Sequence, residues 1–147
     1  MPRFAANLTM MYPEFEALDR FEQARLDRFE AFELLFPYAL DVTDLQKVLD
    51  ATGMRYLLLN TPLGNAAAGE RGLAALPGRE AAFRESFAES MHFARELGVS
   101  LVHVMAGVVR EDATPADCEA VLISNLQAIA PEAEAAGITL LLEPLND

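Results

Sequence analysis

Polar residues stand at the ends of several short apolar runs of the sequence, where their side chains could share one site. These polar ends are Asn7, Glu33, Asn60, His103 and Glu143. In parallel α/β folds the carboxyl ends of the strands carry the functional site, so residues far apart in the sequence meet there. Carboxylate, imidazole and amide groups gathered in this way can transfer protons, bind hydroxyl groups or ligate a cation.

Glu143 carries the strongest chemical signal of this set. It follows the apolar run 138–142 and directly precedes Pro144. An isolated buried carboxylate is costly, and those that persist are usually paired or bound to a metal ion. We therefore expect Glu143 to be a catalytic base, a metal ligand or both.

The other four polar ends also have structural explanations, and both interpretations stay open. Asn7 and Asn60 could bind the backbone of a loop. Glu33 could be a paired carboxylate inside a barrel layer, and His103 could be a core histidine with satisfied nitrogens. The alternative is that all four bind the substrate. His92, within a predicted helix, is interpreted as structural.

The glycine-bearing loop 61–78 contains two arginines of interest close to its end. It has neither a GxxxxGKS nor a GxGxxG motif, so a nucleotide site is not indicated. A guanidinium group binds a carboxylate through two parallel hydrogen bonds, and we expect Arg71 to bind the carboxylate of a substrate. Arg79 is interpreted as a solvent-exposed residue that opens the next helix.

Short apolar runs alternate with longer amphipathic ones along the whole chain. The predicted strands lie within 3–12, 29–38, 54–60, 99–107 and 138–144. The predicted helices lie within 14–28, 41–53, 79–97 and 116–137. Thr114 and Pro115 have the residue types of a helix start, and Pro131 is expected to kink or split the last helix.

This alternation predicts a mostly parallel sheet with helices outside it, the α/β class. No linker or low-complexity tract interrupts the pattern, so residues 1–147 form part of one domain. The architecture stops after its fifth strand. We therefore expect the 147-residue chain either to associate with itself or to bind a chain that supplies further strands.

The composition limits the classes of partner. The formal net charge is −12, which disfavours binding to nucleic-acid phosphates and to anionic membranes. Cys118 is the only cysteine, so no internal disulfide can form. The N-terminal segment does not have the apolar stretch of a secretory signal, and a cytoplasmic location is expected.

Several longer stretches match a known family. They are RFAANLTMMY, FELLFPY, GERGLAALPGREAAFR, ARELG, HVMAG and LLLEPLN. On these stretches the chain resembles the hydroxypyruvate isomerases and the related 2-oxo-tetronate isomerases, within the xylose isomerase-like barrel superfamily. The resemblance implies a (β/α)₈ TIM barrel, of which this chain is the N-terminal portion with about five parallel strands and outer helices.

The resemblance also implies an activity, in carbohydrate and glyoxylate metabolism. Members interconvert an α-hydroxy ketone and an aldehyde, here hydroxypyruvate and 2-hydroxy-3-oxopropanoate (tartronate semialdehyde), by moving a proton through an enediol between two glutamates. The first of these glutamates matches Glu143. The wider superfamily usually binds a divalent metal, for which Mg²⁺ or Mn²⁺ suits oxygen ligands. The second glutamate and the other metal ligands lie on later strands, so the 147-residue chain alone is expected to be inactive.

Two positions depart from the family pattern. Arg28 stands where a glycine commonly precedes the second strand, which should alter only a turn. Asn65 and Ala66 stand where the family usually has an acid and a tryptophan, which affects substrate choice and loop closure.

Other activities stay open beside the main interpretation. A 2-oxo-tetronate isomerase or a sugar epimerase would use the same scaffold. An alternative of another class is an inactive half-barrel fragment, or a half-barrel that acts only as an interaction subunit. An abasic-site endonuclease is disfavoured by the net charge of −12.

Overall fold

The computed structural model describes residues 2–144 and contains one parallel sheet of five strands. The strands are β1 (Ala6–Asn7), β2 (Ala31–Glu33), β3 (Arg55–Asn60), β4 (Leu101–His103) and β5 (Thr139–Leu141). Their order in the sheet follows the chain, and every neighbouring pair is parallel. This is the order of consecutive strands in a (β/α)₈ barrel, and it confirms the predicted α/β class.

Helices follow each of the first four strands and pack beside one another in chain order. The α-helices are α1 (Asp19–Leu26), α2 (Val42–Thr52), α3 (Glu80–Leu97) and α4 (Pro115–Ala135). Two short 3₁₀ helices, Pro37–Ala39 and Ala66–Ala68, lie in the loops after β2 and β3. No helix within residues 2–144 is long and apolar enough to cross a bilayer.

Capping residues fix the helix boundaries close to the predicted positions. The Asp41 carboxylate accepts hydrogen bonds from the backbone N–H groups of Thr43 (2.8 Å) and Asp44 at the start of α2. Thr114 and Asp117 form a reciprocal capping box at the start of α4, where Pro115 occupies the first helical turn. Pro131 does not split α4, which continues to Ala135.

The core lies between the helices and one face of the sheet. Phe32 on β2 has ring contacts on both sides, with Phe21 of α1 at 4.8 Å and with Tyr56 of β3 at 4.7 Å between ring centroids. Ala6, Phe32 and Val102 are fully buried on this face. The residues that follow them, which have to face the other side of the sheet, are only half-buried.

The first helix is shorter than its sequence pattern predicts. The spacing of Phe15, Leu18, Phe21 and Leu26 predicts one buried helical face, but α1 begins at Asp19 and buries Phe21 and Ala24. Leu26 is 58% exposed and Phe15 is 36% exposed. With eight residues, α1 makes about two turns, which cannot keep all four of these positions on one face.

Arg28, the departure before β2, adopts a backbone conformation that favours glycine. Its φ is +67°, in the left-handed region, so the change from the family's glycine keeps the turn but places a side chain on it. For a residue with a Cβ atom this conformation costs about 1–2 kcal/mol. The exposed arginine therefore carries backbone strain that glycine would release.

We expect Arg28→Gly to have a free energy of unfolding about 1 kcal/mol higher than Arg28→Ala, since both remove the exposed guanidinium but only glycine removes the strain. Urea unfolding of the two variants at one low protein concentration measures this difference. Equal stabilities would show that the turn relaxes around any side chain.

Candidate active site

The carboxyl ends of the strands surround a pocket of about 560 Å³. All five polar residues at the predicted strand ends line it: Asn7, Glu33, Asn60, His103 and Glu143. Leucines from β3 and β5, together with Met10 and Pro144, form most of the remaining wall. The pocket is thus a concave, partly apolar surface with a few convergent polar groups, which is the usual character of a small-molecule site.

Asn60 and His103 are joined directly across β3 and β4. They are register partners on the two parallel strands, and the Asn60 Oδ1 atom lies 3.2 Å from His103 Nδ1. An amide oxygen can only accept, so in this arrangement the Nδ1–H group of His103 donates. The Nε2 atom of the neutral ring is then left with a free lone pair, which can accept a hydrogen bond from a bound molecule.

Burial lowers the pKa of His103 below its ordinary value of 6.5, and the nearby Glu143 carboxylate opposes this shift by favouring the imidazolium form. Because the buried ring prefers to be neutral, the unfolded chain takes up the proton first as the pH falls. His103 therefore destabilises the folded state below about pH 6.5 and has no such effect at higher pH. At neutral pH it is an uncharged ring.

Asn7 and Glu33 are register partners on β1 and β2, and both are half-buried. Asn7 Oδ1 accepts the backbone N–H of Thr9 at 3.1 Å, so part of its side chain does have the structural role that the sequence left open. The Glu33 carboxylate receives no hydrogen bond from any other residue between 2 and 144. Their direct participation in binding stays a prediction.

Glu143 lies two residues beyond β5 and is exposed, whereas the sequence indicates a buried carboxylate. The reason is the position of β5 at the edge of the described sheet, where only β4 pairs with it. The cost of burial therefore gives no support to its catalytic role. What supports that role is the location of Glu143 in the pocket and its electrostatic effect on His103.

Arg71 does not line the pocket. Its guanidinium is exposed and donates hydrogen bonds to the carbonyl oxygens of Ala66 (3.3 Å) and Glu70 (2.8 Å) in its own loop. Arg79 is not simply solvated, because its guanidinium forms an ion pair with the half-buried Glu70 carboxylate. Glu70 in turn accepts the backbone N–H of Asn65 at 2.6 Å. Through these contacts Arg79 stabilises the conformation of the loop.

The second half of this loop is packed against the segment that follows β4. Gly72 pairs with Ala106, and its φ is +123°. A Cβ atom at this position would lie 2.3 Å from the backbone oxygen of Met105. Asn125 of α4, which is 3% exposed, donates a hydrogen bond of 2.8 Å to the Ala74 carbonyl. The loop is thus fixed at its base and does not cover the pocket as a free lid.

The residues described here do not form a complete metal site. Within residues 2–144, no three His, Cys, Asp or Glu side chains gather where one ion could bind them. Glu143, and less directly Glu33, could each supply one carboxylate. A hard divalent cation takes about six oxygen ligands, of which water can be several but rarely nearly all.

The sequence matches a family profile described as the xylose isomerase-like TIM barrel over residues 21–147. Over 146 residues it is 50% identical to the 2-oxo-tetronate isomerase of Cupriavidus necator, covering 99% of this chain and 56% of that protein. It is 38% identical to the hydroxypyruvate isomerase of Escherichia coli, covering 99% and 57% of the two chains. The chain therefore spans little more than half the length of these relatives.

Solved structures give the same fold. A Brucella melitensis protein described as an AP endonuclease, family 2, superposes with a TM-score of 0.95 at 40% identity, covering 99% of this chain and 56% of that one. A D-psicose 3-epimerase solved in the presence of D-fructose superposes with a TM-score of 0.74 at 14% identity, covering 99% and 53%. At that identity the second likeness shows the fold alone.

Burial and the Glu143 carboxylate have opposite effects on the pKa of His103, and this opposition gives a test of the distance between the two side chains. In an NMR titration of the folded chain we expect the His103 pKa to lie below 6.5, and Glu143→Gln to lower it further because the favourable negative charge is lost. Glu134→Gln, on the exposed side of α4, is the matched control and should leave the His103 pKa unchanged. A His103 pKa that does not respond to Glu143→Gln would contradict the proximity of the two groups.

Proposed function

Because the chain belongs to the xylose isomerase-like TIM barrel family, we propose that it contributes part of an active site that interconverts hydroxypyruvate and 2-hydroxy-3-oxopropanoate. The observation that carries the proposal is the convergence of Asn7, Glu33, Asn60, His103 and Glu143 on one pocket at the carboxyl ends of the strands. In (β/α)₈ enzymes this end of the barrel carries the chemistry.

The reaction is a proton transfer between neighbouring carbons. A base removes a proton from C3 of hydroxypyruvate, which bears the hydroxyl group. The electrons of that C–H bond form the C2–C3 double bond, while the π electrons of the C2 carbonyl move to its oxygen and give an enediolate. A proton then returns to C2, while the C3 hydroxyl proton moves to the C2 oxygen. The products are an aldehyde at C3 and an alcohol at C2, so no oxidant or reductant is needed.

Glu143 is the proposed base, and the neighbouring groups suit the intermediate. A carboxylate is a competent base for a carbon next to a carbonyl when it lies within hydrogen-bond reach of the proton that it removes. The amide groups of Asn60 and Asn7 can bind the substrate oxygens, and neutral His103 can accept a hydroxyl proton at Nε2. A second carboxylate for the return step is not assigned among residues 2–144. No step is assigned to a metal ion, although Mg²⁺ or Mn²⁺ stays a prediction with Glu143 as one ligand.

A 2-oxo-tetronate substrate is the alternative for the same chemistry, and the identity of 50% to the Cupriavidus necator isomerase favours testing it in parallel. The two substrates differ in length by one hydroxyl-bearing carbon. The divergent loop residues Asn65 and Ala66, which do not line the described pocket, are proposed to influence that choice. Arg71 stays a proposed ligand of the substrate carboxylate, but its guanidinium would have to leave its loop carbonyls.

An endonuclease activity is not proposed, even though the Brucella melitensis protein carries that description. Binding to DNA depends on cationic side chains that neutralise phosphates. This chain has a formal net charge of −12, and the described pocket lining includes two carboxylates and no lysine or arginine.

The proposed base can be tested in a complete barrel. We would exchange the matched part of the Cupriavidus necator isomerase for residues 1–147 of this chain and assay hydroxypyruvate and 2-oxo-tetronate with Mg²⁺ or Mn²⁺. Glu143→Gln should lower kcat at least ~100-fold, the low end for loss of a general base. Glu134→Gln, on the outer helix α4, should not. Near-normal turnover by the Glu143→Gln chimera would exclude Glu143 as the base.

The open edges of the sheet support a further part of the proposal, that the 147-residue chain associates. Among the described residues, β1 and β5 each have one strand neighbour, and parallel-strand edges expose unpaired N–H and C=O groups. Phe4, Met10 and Leu142 near these edges are 74%, 72% and 52% exposed. Apolar side chains exposed in this way mark surfaces that bind another chain or aggregate.

Light scattering on the purified 147-residue chain should therefore give a mass above that of one chain. NMR of hydroxypyruvate incubated with the same sample and Mg²⁺ should show no 2-hydroxy-3-oxopropanoate, because self-association adds copies of Glu143 but no further type of catalytic residue. A stable monomer would contradict the association, and steady turnover would show that residues 1–147 suffice for the chemistry.

A further inference from the structure

A chain of partly buried hydrogen bonds runs from the outer helix α3 to the candidate active site. The Ser90 hydroxyl on α3 lies 2.9 Å from the Tyr38 hydroxyl, in the 3₁₀ helix after β2. The Tyr38 hydroxyl donates a short hydrogen bond to the backbone carbonyl of Asn60. Asn60 then reaches His103 through its side chain. Ser90 is 0% exposed and Asn60 is 5% exposed, whereas Tyr38 and His103 are half-buried.

The protons available fix the direction of the step from Tyr38 to Asn60. Each hydroxyl group has one proton, and Tyr38 uses its own on Asn60. The contact between Tyr38 and Ser90 is therefore a hydrogen bond only when Ser90 donates. The Ser90 hydroxyl also lies 2.9 Å from the Ser86 carbonyl oxygen and can donate to it instead, because a carbonyl oxygen can accept a second hydrogen bond beside the helical one. The step from Tyr38 to Asn60 therefore has a fixed direction, whereas the Ser90 hydroxyl has two acceptors within reach, Tyr38 and the Ser86 carbonyl.

Hydrogen bonds fix the backbone of Asn60 at both its N–H and its carbonyl group. Its N–H donates to the Leu35 carbonyl at 2.9 Å, and its carbonyl accepts from Tyr38. The next residue, Thr61, donates its N–H to the His103 carbonyl at 2.8 Å. With its backbone fixed in this way, Asn60 places its side chain beside the His103 ring, where Oδ1 lies 3.2 Å from Nδ1 and favours the Nδ1–H tautomer.

We infer that Tyr38 and Ser90, which do not line the pocket, are positioning residues that hold Asn60 and thereby set the tautomer of His103. Only the purpose of this tautomer rests on the proposed function: its Nε2 lone pair is the group that accepts a hydrogen bond from a substrate hydroxyl. Tyr38 packs edge-on against Phe93 at 5.2 Å between ring centroids, which keeps its hydroxyl on this path.

A second buried tyrosine provides the matched control. Tyr56 on β3 is 4% exposed, and its hydroxyl donates to the backbone carbonyl of Leu34 at 2.6 Å. Burial raises the pKa of both tyrosines far above the ordinary range, so both act as neutral donors. Tyr38→Phe and Tyr56→Phe therefore each remove one hydrogen bond to a backbone carbonyl, but only the first also removes the contact with Ser90 and acts on Asn60.

The test is the ¹⁵N NMR spectrum of the histidine rings at a pH where they are neutral, because ring nitrogen shifts distinguish the two tautomers. The chain has only two histidines, so His103→Gln assigns the signals. We expect His103 to be mainly the Nδ1–H tautomer in the natural sequence. Tyr38→Phe should change its tautomer ratio by roughly threefold or more, as follows from weakening one hydrogen bond, and Tyr56→Phe should leave it unchanged.

Ser90→Ala serves as a milder variant, since alanine is fully compatible with a helix, and should move the ratio in the same direction. Ser90→Thr keeps the hydroxyl and should restore it. The inference is overturned if His103 is mainly the Nε2–H tautomer in the natural sequence, if Tyr38→Phe and Ser90→Ala leave the ratio unchanged, or if Tyr56→Phe changes it equally. None of these readouts requires isomerase activity, so a failed assay of the chimera would bear on the proposed function alone.

Discussion

The burial of one face of the sheet against α1–α4 is the constraint on which the candidate site depends. Side chains alternate between the faces of a strand, so once Ala6, Phe32 and Val102 pack against the helices, the residues after them have to face the other way. Those residues are Asn7, Glu33 and His103. A slip of one residue would bury all three and expose the core, which ties the register of the sheet to the composition of the pocket.

Much of this arrangement can be predicted from the sequence because it depends on local patterns. Apolar runs that alternate with amphipathic ones give the parallel sheet, and Asp41, Gly53, Thr114 and Pro115 mark helix ends through their own backbone preferences. The convergence of the polar strand ends then follows from topology. The exposure of Glu143 could not be foreseen in the same way, because burial at a strand end depends on which neighbours cover it.

The hydrogen bonds that hold the site together cannot be predicted from local sequence patterns in the same way. Tyr38 and Ser90 are 52 positions apart, and nothing in the sequence around either residue indicates that their hydroxyl groups meet. The same holds for Glu70, whose ion pair with Arg79 depends on how a loop folds back on a helix start.

The loop after β3 and the segment after β4 are joined by hydrogen bonds. Thr61 Oγ1 accepts the Met105 N–H at 2.9 Å, and Gly72 pairs with Ala106. These contacts between the loop after β3 and the segment after β4 fix the end of β4, which carries His103.

The charges of the pocket indicate how a substrate would lie in it. The described lining contains the carboxylates of Glu33 and Glu143, the neutral ring of His103 and two amides, with no lysine or arginine. A substrate carboxylate next to these groups would meet like charge in a partly apolar pocket, where repulsion is screened less than in water. Hydroxyl and carbonyl oxygens can instead bind Asn60, Asn7 and His103 without that penalty. The described residues therefore suit the hydroxy-ketone end of the proposed substrate, and the carboxylate of that substrate is best placed away from them.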